Sequence, residues 1–217
     1  MAKILSLLLT PTLETLYMVS MSSVFALILG APLGILLTLT EKGGLKENPA
    51  LYRALDSLIN VLRSFPFIIL MIVLFPLSRL IVGTTIGTTA TIVPLSIAAA
   101  PFAARVVQSS LKEVDKGVVE AALAMGSDSF TIVRKVLIPE ARPALVSGIT
   151  LTVINIVSYS AMAGAIGGGG LGDLAIRYGF HRFRSDVLIA AVIVIIVIVQ
   201  GIQWIGNRIA ASLSKNR

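Results

Sequence analysis

Few residues in this chain could do chemistry, and the first to weigh are those that might handle phosphate, protons or a metal. Gly43-Gly44 runs into Leu45-Lys46, and Gly167 to Gly170 runs into Leu171-Gly172-Asp173. Neither is a Gly-x-x-x-x-Gly-Lys-Ser/Thr cradle, whose lysine would reach the β and γ phosphates of a nucleotide. The one histidine, His181, has no second ligand near it in sequence and reads as a solvated loop residue. Cysteine is absent, which excludes disulfides, thiolate metal sites and cysteine nucleophiles. No catalytic, cofactor-binding or metal-binding residue is expected.

A docking pattern does stand out. Glu120-Ala121-Ala122 is followed by Gly126 and, ten residues on, by Val136-Leu137-Ile138-Pro139. The segment around it, 113–142, is too polar to cross a bilayer. Val118 to Met125 reads as a short helix, with Asp115 near the positive end of its dipole and Gly126 as a left-handed C-cap. Ser127 or Asp128 can cap a second helix, on which Phe130, Ile132, Val133 and Val136 offer an apolar side. The expected product is a two-helix elbow lying parallel to the membrane. Val119, Leu123 and Met125 would then form an apolar ridge outside the bilayer, as docking into a groove on another protein requires. An amphipathic helix resting on lipid would share much of this pattern.

A second group could line a path for a solute. Asn155, Ser158, Tyr159 and Ser160 place polar groups in an otherwise apolar stretch, with Met162 just beyond. Such groups either bond between helices or face a pathway, and a methionine can be simple filler.

Membrane helices must hold these residues. The 217-residue chain is 56% hydrophobic and 13% charged, with a mean hydropathy of +0.93, whereas a soluble domain carries about 25% charged residues. Requiring every backbone N–H to be paired inside a helix, with no charge near mid-depth, selects five spans: 15–40, 57–81, 90–111, 143–166 and 187–207. The expected fold is a single all-α bundle of these spans with the elbow on its cytoplasmic side. In the second span Arg63 would snorkel near one end, and Pro66 and Pro76 would interrupt the helix. Carboxylates are missing from the span centres, which disfavours proton-coupled transport. Lys3 and the short apolar stretch 4–9 do not make a signal peptide, so the amino end is expected to stay in the mature chain.

Basic residues orient the bundle. Lys42, Lys46 and Arg53, then Lys112, Lys116, Arg134, Lys135 and Arg142, then Arg208, Lys215 and Arg217 share one face of a five-span chain. The positive-inside rule makes that face cytoplasmic, with the amino end outside and the carboxyl end inside. Lys3, Arg79, Arg177, Arg182 and Arg184 oppose it more weakly. The net charge of +7 thus points to basic loops beside anionic membrane lipid rather than to nucleic acid. No internal repeat is visible, so any symmetry of a pathway must come from a second copy.

The 120–139 pattern resembles the signature of binding-protein-dependent ABC importer permeases: Glu-Ala-Ala, three residues, Gly, nine residues, Ile-x-Leu-Pro. Val136 and Ile138 are its conservative departures here. The stretches Arg63 to Ile69, Ile81 to Gly87, Ala100-Pro101-Phe102, Tyr159 to Met162 and Gly168 to Gly172 are similar to the five-span methionine permeases. The resemblance implies that the elbow is a coupling helix seated on a separate ATPase, through Val119, Glu120, Ala121, Ala122, Leu123, Gly126 and Pro139. It implies a permease homodimer on two ATPase subunits that hold the ATP and Mg, fed by an extracytoplasmic binding lipoprotein or periplasmic protein, in the bacterial inner membrane. It also implies a gate at Met162. The glycine run 164–172 would be a flexible loop or a turn where the backbones of two copies approach. A channel with a carbonyl filter and a non-transporting scaffold are the readings from other classes, and the first gives no reason for the elbow.

Overall fold

The structure, a computed structural model, describes the backbone of residues 2–215 and the side chains of residues 6–215. Among the described residues there is no strand. Helices α1 (Ala2–Thr40), α4 (Thr88–Lys112), α8 (Arg142–Gly164) and α10 (Ser185–Lys215) are each long and apolar enough to cross a membrane. The pair α2 (Pro49–Ser64) and α3 (Phe67–Val82) is long and apolar enough only when taken together, as a bent unit, and counted so brings the spans to five.

In that pair the expected interruption of the 57–81 span falls at Pro66 alone, since Pro76 lies inside α3. The two helices meet at 105°, because Pro66 brings no N–H to the ladder and forces the residue before it out of the α region. Phe65 accordingly sits at φ −69°, ψ 130°. Helix α2 begins earlier than expected, at Pro49, where the Asn48 side chain accepts the Leu51 amide at 3.1 Å. It is amphipathic, and its Asp56 and Asn60 both take hydrogen bonds from Arg105 of α4. Arg105 also donates to Gln108 at 2.9 Å, and Lys112 reaches Glu41 at the end of α1 at 2.8 Å. Helix α3 ends on Gly83 in the left-handed region, φ 86°.

Helix α4 runs through the middle of the bundle. Pro94 and Pro101 lie inside it without ending it, and its Leu95, Ala99, Ala103 and Ala104 are fully buried. Small residues let α1 approach it closely. A Cβ on Gly30 would stand 2.5 Å from the Ala100 carbonyl oxygen. Val19 and Ala26 of α1, Ala99 of α4, and Ile156 and Val157 of α8 form one buried cluster, against which Ile195, Ile198 and Ile202 of α10 pack.

Helix α1 also departs from expectation by starting well before Thr15, which brings Glu14 onto the helix. The carboxylate is not left bare: Glu14 Oε2 accepts the Gly170 amide at 2.8 Å. Glu14 lies well before the middle of α1, away from the span centre.

Candidate coupling elbow and pathway cleft

Between α4 and α8 the chain makes the elbow. Helix α5 (Lys116–Ala124) opens with the Asp115 side chain accepting the Gly117 amide at 2.7 Å. It closes with the Gly126 amide on the Leu123 carbonyl at 2.9 Å and the Ser127 amide on the Ala122 carbonyl at 3.1 Å. Those two bonds make a Schellman motif, which needs a left-handed residue at its centre. Gly126 supplies it, at φ 78°. Of the two caps considered for the next helix, Asp128 serves, accepting the Phe130 amide at 3.1 Å. A hydrogen bond from the Thr131 hydroxyl, helped by the Thr131 and Phe130 amides, holds the Asp128 carboxyl below the usual carboxylate range.

Helix α6 (Ser129–Ile132) passes into a widened π turn, Val133–Leu137, then into α7 (Ile138–Glu140) and α8. The Ile138 amide reaches back five residues to Val133. Pro139 follows directly and donates no hydrogen bond of its own, which favours a local π adjustment.

One side of the elbow joins the bundle. Ala122, Ile132, Val133 and Leu137 are buried with Val107 and Leu111 of α4. Val119 packs half-buried against the same cluster, which corrects its expected place on an outward ridge. Helical spacing explains this, since Val119 lies three residues before Ala122 and so shares its inward face. Outward stand Val118, Leu123, Met125 and Phe130, with Met125 79% and Phe130 70% exposed; Glu120 and Ala121 are exposed beside them. Val118 was not foreseen, although its seven-residue spacing from Met125 on one helix face carried the signal. A cleft of about 820 Å³ lies between α5 and the loop after α1, with Glu41, Lys112, Lys116 and Glu120 on its walls.

The pathway candidates divide. Asn155, Ser158, Tyr159 and Met162 follow one another at i, i+3, i+4 and i+7, a single stripe of α8. Ser160 lies off it, buried, with its hydroxyl donating to the Val157 carbonyl at 2.7 Å. Ser158 is exposed and Met162 is 48% exposed. Asn155 and Tyr159 open onto a cleft of about 220 Å³ at the α2–α3 break, together with Arg63, Phe67, Leu70, Ala98 and Phe102. Tyr159 and Phe67 stack in parallel, centroids 4.5 Å apart and planes within 2°. The sequence reading placed Arg63 near a span end and not in a site, and missed the aromatic wall, because an interruption at Pro66 does not by itself say how sharply the chain turns there.

The glycine run packs within its own chain rather than lying loose, against α1, α8, the turn before α4 and the start of α4. Gly167, Gly169 and Gly170 hold positive φ angles. The Gly87 amide bonds to the Gly167 carbonyl at 3.0 Å, and Thr15 Oγ1 accepts the Leu171 amide at 2.9 Å. Beyond it, α9 (Gly170–Leu174) and a π turn, Ala175–Phe180, carry Arg177 paired with Asp173 at 2.5 Å. Arg184 pairs with Asp186 at 2.6 Å, and His181 is exposed, edge-on to Phe180.

Residues 30–215 match the family described as binding-protein-dependent transport system inner membrane component. The chain belongs to that family. Among similar proteins of this family's kind is the "Probable D-methionine transport system permease protein MetI" of Vibrio cholerae, 54% identical over 93% of this chain and 89% of that one. The methionine import system permease protein MetP of Bacillus subtilis is 47% identical over 94% of this chain and 92% of its own length. A chain of the inward-facing MetNI methionine ABC transporter, in its native crystal form, superposes with a TM-score of 0.95 at 43% identity, covering 98% of this chain and 99% of that one. In this transport-component family the chain is thus an all-α membrane protein whose elbow packs one side against the bundle and leaves the other exposed.

Proposed function

We propose that this chain is the membrane-spanning subunit of an ATP-driven importer of methionine, in the D form, the L form or both. It works as a homodimer on two copies of a separate ATPase that binds ATP and Mg, so the chain itself is not an enzyme. An extracytoplasmic binding protein, lipid-anchored or periplasmic, delivers the solute. The observation that carries this reading is the elbow: a helix capped at both ends, rigidly packed on α4 through Ala122, with Val118, Leu123, Met125 and Phe130 turned outward. Such a lever suits a partner that moves, and the relatives' names supply methionine as the cargo.

In this reading Glu120, Ala121, Leu123, Gly126 and Pro139 form or shape the ATPase contact, with Val119 and Ala122 as its anchor to the bundle. The α8 stripe from Asn155 to Met162 faces the pathway, with Met162 at the gate between two copies. The amino end lies outside and the carboxyl end in the cytoplasm.

The test is reconstitution in liposomes with the ATPase and the binding protein. ATP-dependent uptake of labelled L- or D-methionine is expected. Uptake that proceeds without the ATPase, or no ATP-dependent uptake of either isomer, overturns the reading.

A further inference from the structure

The cleft at the α2–α3 break combines three observations that the transport reading does not use. First, it lies deep. Ala98 and Phe102 on its wall stand midway along α4 (Thr88–Lys112), and Asn155 stands near the middle of α8 (Arg142–Gly164). Second, it holds a free cation. Two arginines stand between α2 and α4, and Arg105 is satisfied by Asp56, Asn60 and Gln108. Arg63 lines the cleft and has no carboxylate partner among the described residues. An ionisable group at membrane depth without a partner is costly and faces a pathway or cavity by default. Third, the cleft sits where a membrane helix is broken, at Phe65-Pro66, and broken helices at mid-depth build solute sites in transporters.

We propose that this cleft is a solute subsite of the permease itself, in which Arg63 receives the α-carboxylate of an amino acid. The inference rests on the transport reading and adds to it a recognition step inside the membrane. The chemistry of the walls sets the ligand class. One guanidinium matches one carboxylate, and the Asn155 amide oxygen and Tyr159 hydroxyl oxygen can accept from an α-ammonium. Phe67, Leu70 and Phe102 offer an apolar surface for an uncharged side chain, and about 220 Å³ suits a small solute rather than a peptide. Delivery by a binding protein would then be followed by a second selection for a free carboxylate.

The experiment measures binding of labelled L-methionine to the purified permease–ATPase complex without binding protein, with the ATPase alone as blank. Three complexes are compared: wild type, Arg63→Gln, and Ala98→Leu, which keeps the charge and fills the cleft. Permease-dependent binding is expected in the wild type, competed by L-methionine but not by its carboxamide. It should weaken at least tenfold in both variants, with Arg63→Lys in between. Equal binding to all complexes, absent permease-dependent binding in the wild type, or equal competition by the carboxamide overturns the proposal. If Arg63→Gln fails to assemble, Ala98→Leu and Arg63→Lys decide. Failure of the transport reading would show separately, as missing ATP-driven uptake by the wild type.

Discussion

Thr15 and Leu171 are joined across the bundle: the Thr15 hydroxyl oxygen accepts the Leu171 amide at 2.9 Å, and both residues are buried, at 3% and 0% exposure. This bond fixes the turn after α8 to the first helix. Thr15→Val keeps the shape of the side chain and removes the acceptor, leaving a buried N–H unpaired at a cost of about 1–3 kcal/mol. The detergent-solubilised variant should melt at a lower temperature, with Thr15→Ser close to the wild type. Equal melting temperatures for Val and Ser would refute the assignment.

Two glycines should respond to alanine in opposite directions. At Gly30 the new Cβ would press on the Ala100 carbonyl oxygen at 2.5 Å, so α1 must move off α4, costing about 1–3 kcal/mol. At Gly201 on α10 a Cβ meets nothing within 4 Å, and the gain in helix propensity is about 0.5–1 kcal/mol. Thermal unfolding of the two variants should bracket the wild type. A stable Gly30→Ala protein would contradict the close approach of the two helices.

Much of this was legible in the sequence where one physical rule acted alone. The apolar runs gave α4 and α8 and the start of α10 within two residues, although α10 continues to Lys215 past the expected end at 207, and Asp115 and Gly126 marked both ends of α5. The reading went astray where two rules competed. Pro66 marked an interruption of the second span, but hydropathy set its start at 57, whereas the amphipathic α2 begins at Pro49 and meets α3 at 105°. The charge of Glu14 argued for a later start to α1, but a turn 156 residues away supplied its hydrogen-bond donor. Val119 was assigned outward because it is apolar and close to the docking pattern, yet its register with Ala122 turns it inward.

Orientation has a direct check. The chain contains no cysteine, so one can be introduced at Asn48, before α2, or at Ser185, at the start of α10. With the amino end outside, residue 185 should react with an impermeant thiol reagent in intact cells, and residue 48 only after lysis. The reverse pattern inverts the topology.

Met162 offers a test of the gate. It lies half-exposed on the α8 stripe that also carries Asn155 and Tyr159. Met162→Ala should leave assembly intact but raise leak of solute, or ATP hydrolysis without uptake, several-fold. Unchanged leak and coupling across Ala, Gly and Trp substitutions would remove Met162 from the gate.

The elbow gives the sharpest expectation, because its geometry depends on one backbone angle. Gly126 holds φ 78° with no neighbour within 4 Å of a would-be Cβ, so a side chain there meets open space and the difficulty is purely conformational. A β-branched residue in that region costs about 1–3 kcal/mol and releases the two bonds that end α5. Gly126→Val should therefore tilt α5 without disturbing the buried cluster beneath it. Gly126→Ala should do less and Gly126→Asn least, because asparagine tolerates the left-handed region. Glu120→Lys acts differently, reversing an exposed charge while the helix stays in place. Both variants should insert and pair normally, yet lose ATPase association or substrate-stimulated hydrolysis and uptake by tenfold or more. Complex stoichiometry, ATPase rate and uptake in liposomes provide the three readings. If Gly126→Val and Glu120→Lys match the wild type in all three, the elbow is not the coupling element; if Gly126→Asn fails as badly as Gly126→Val, the angle is not what matters.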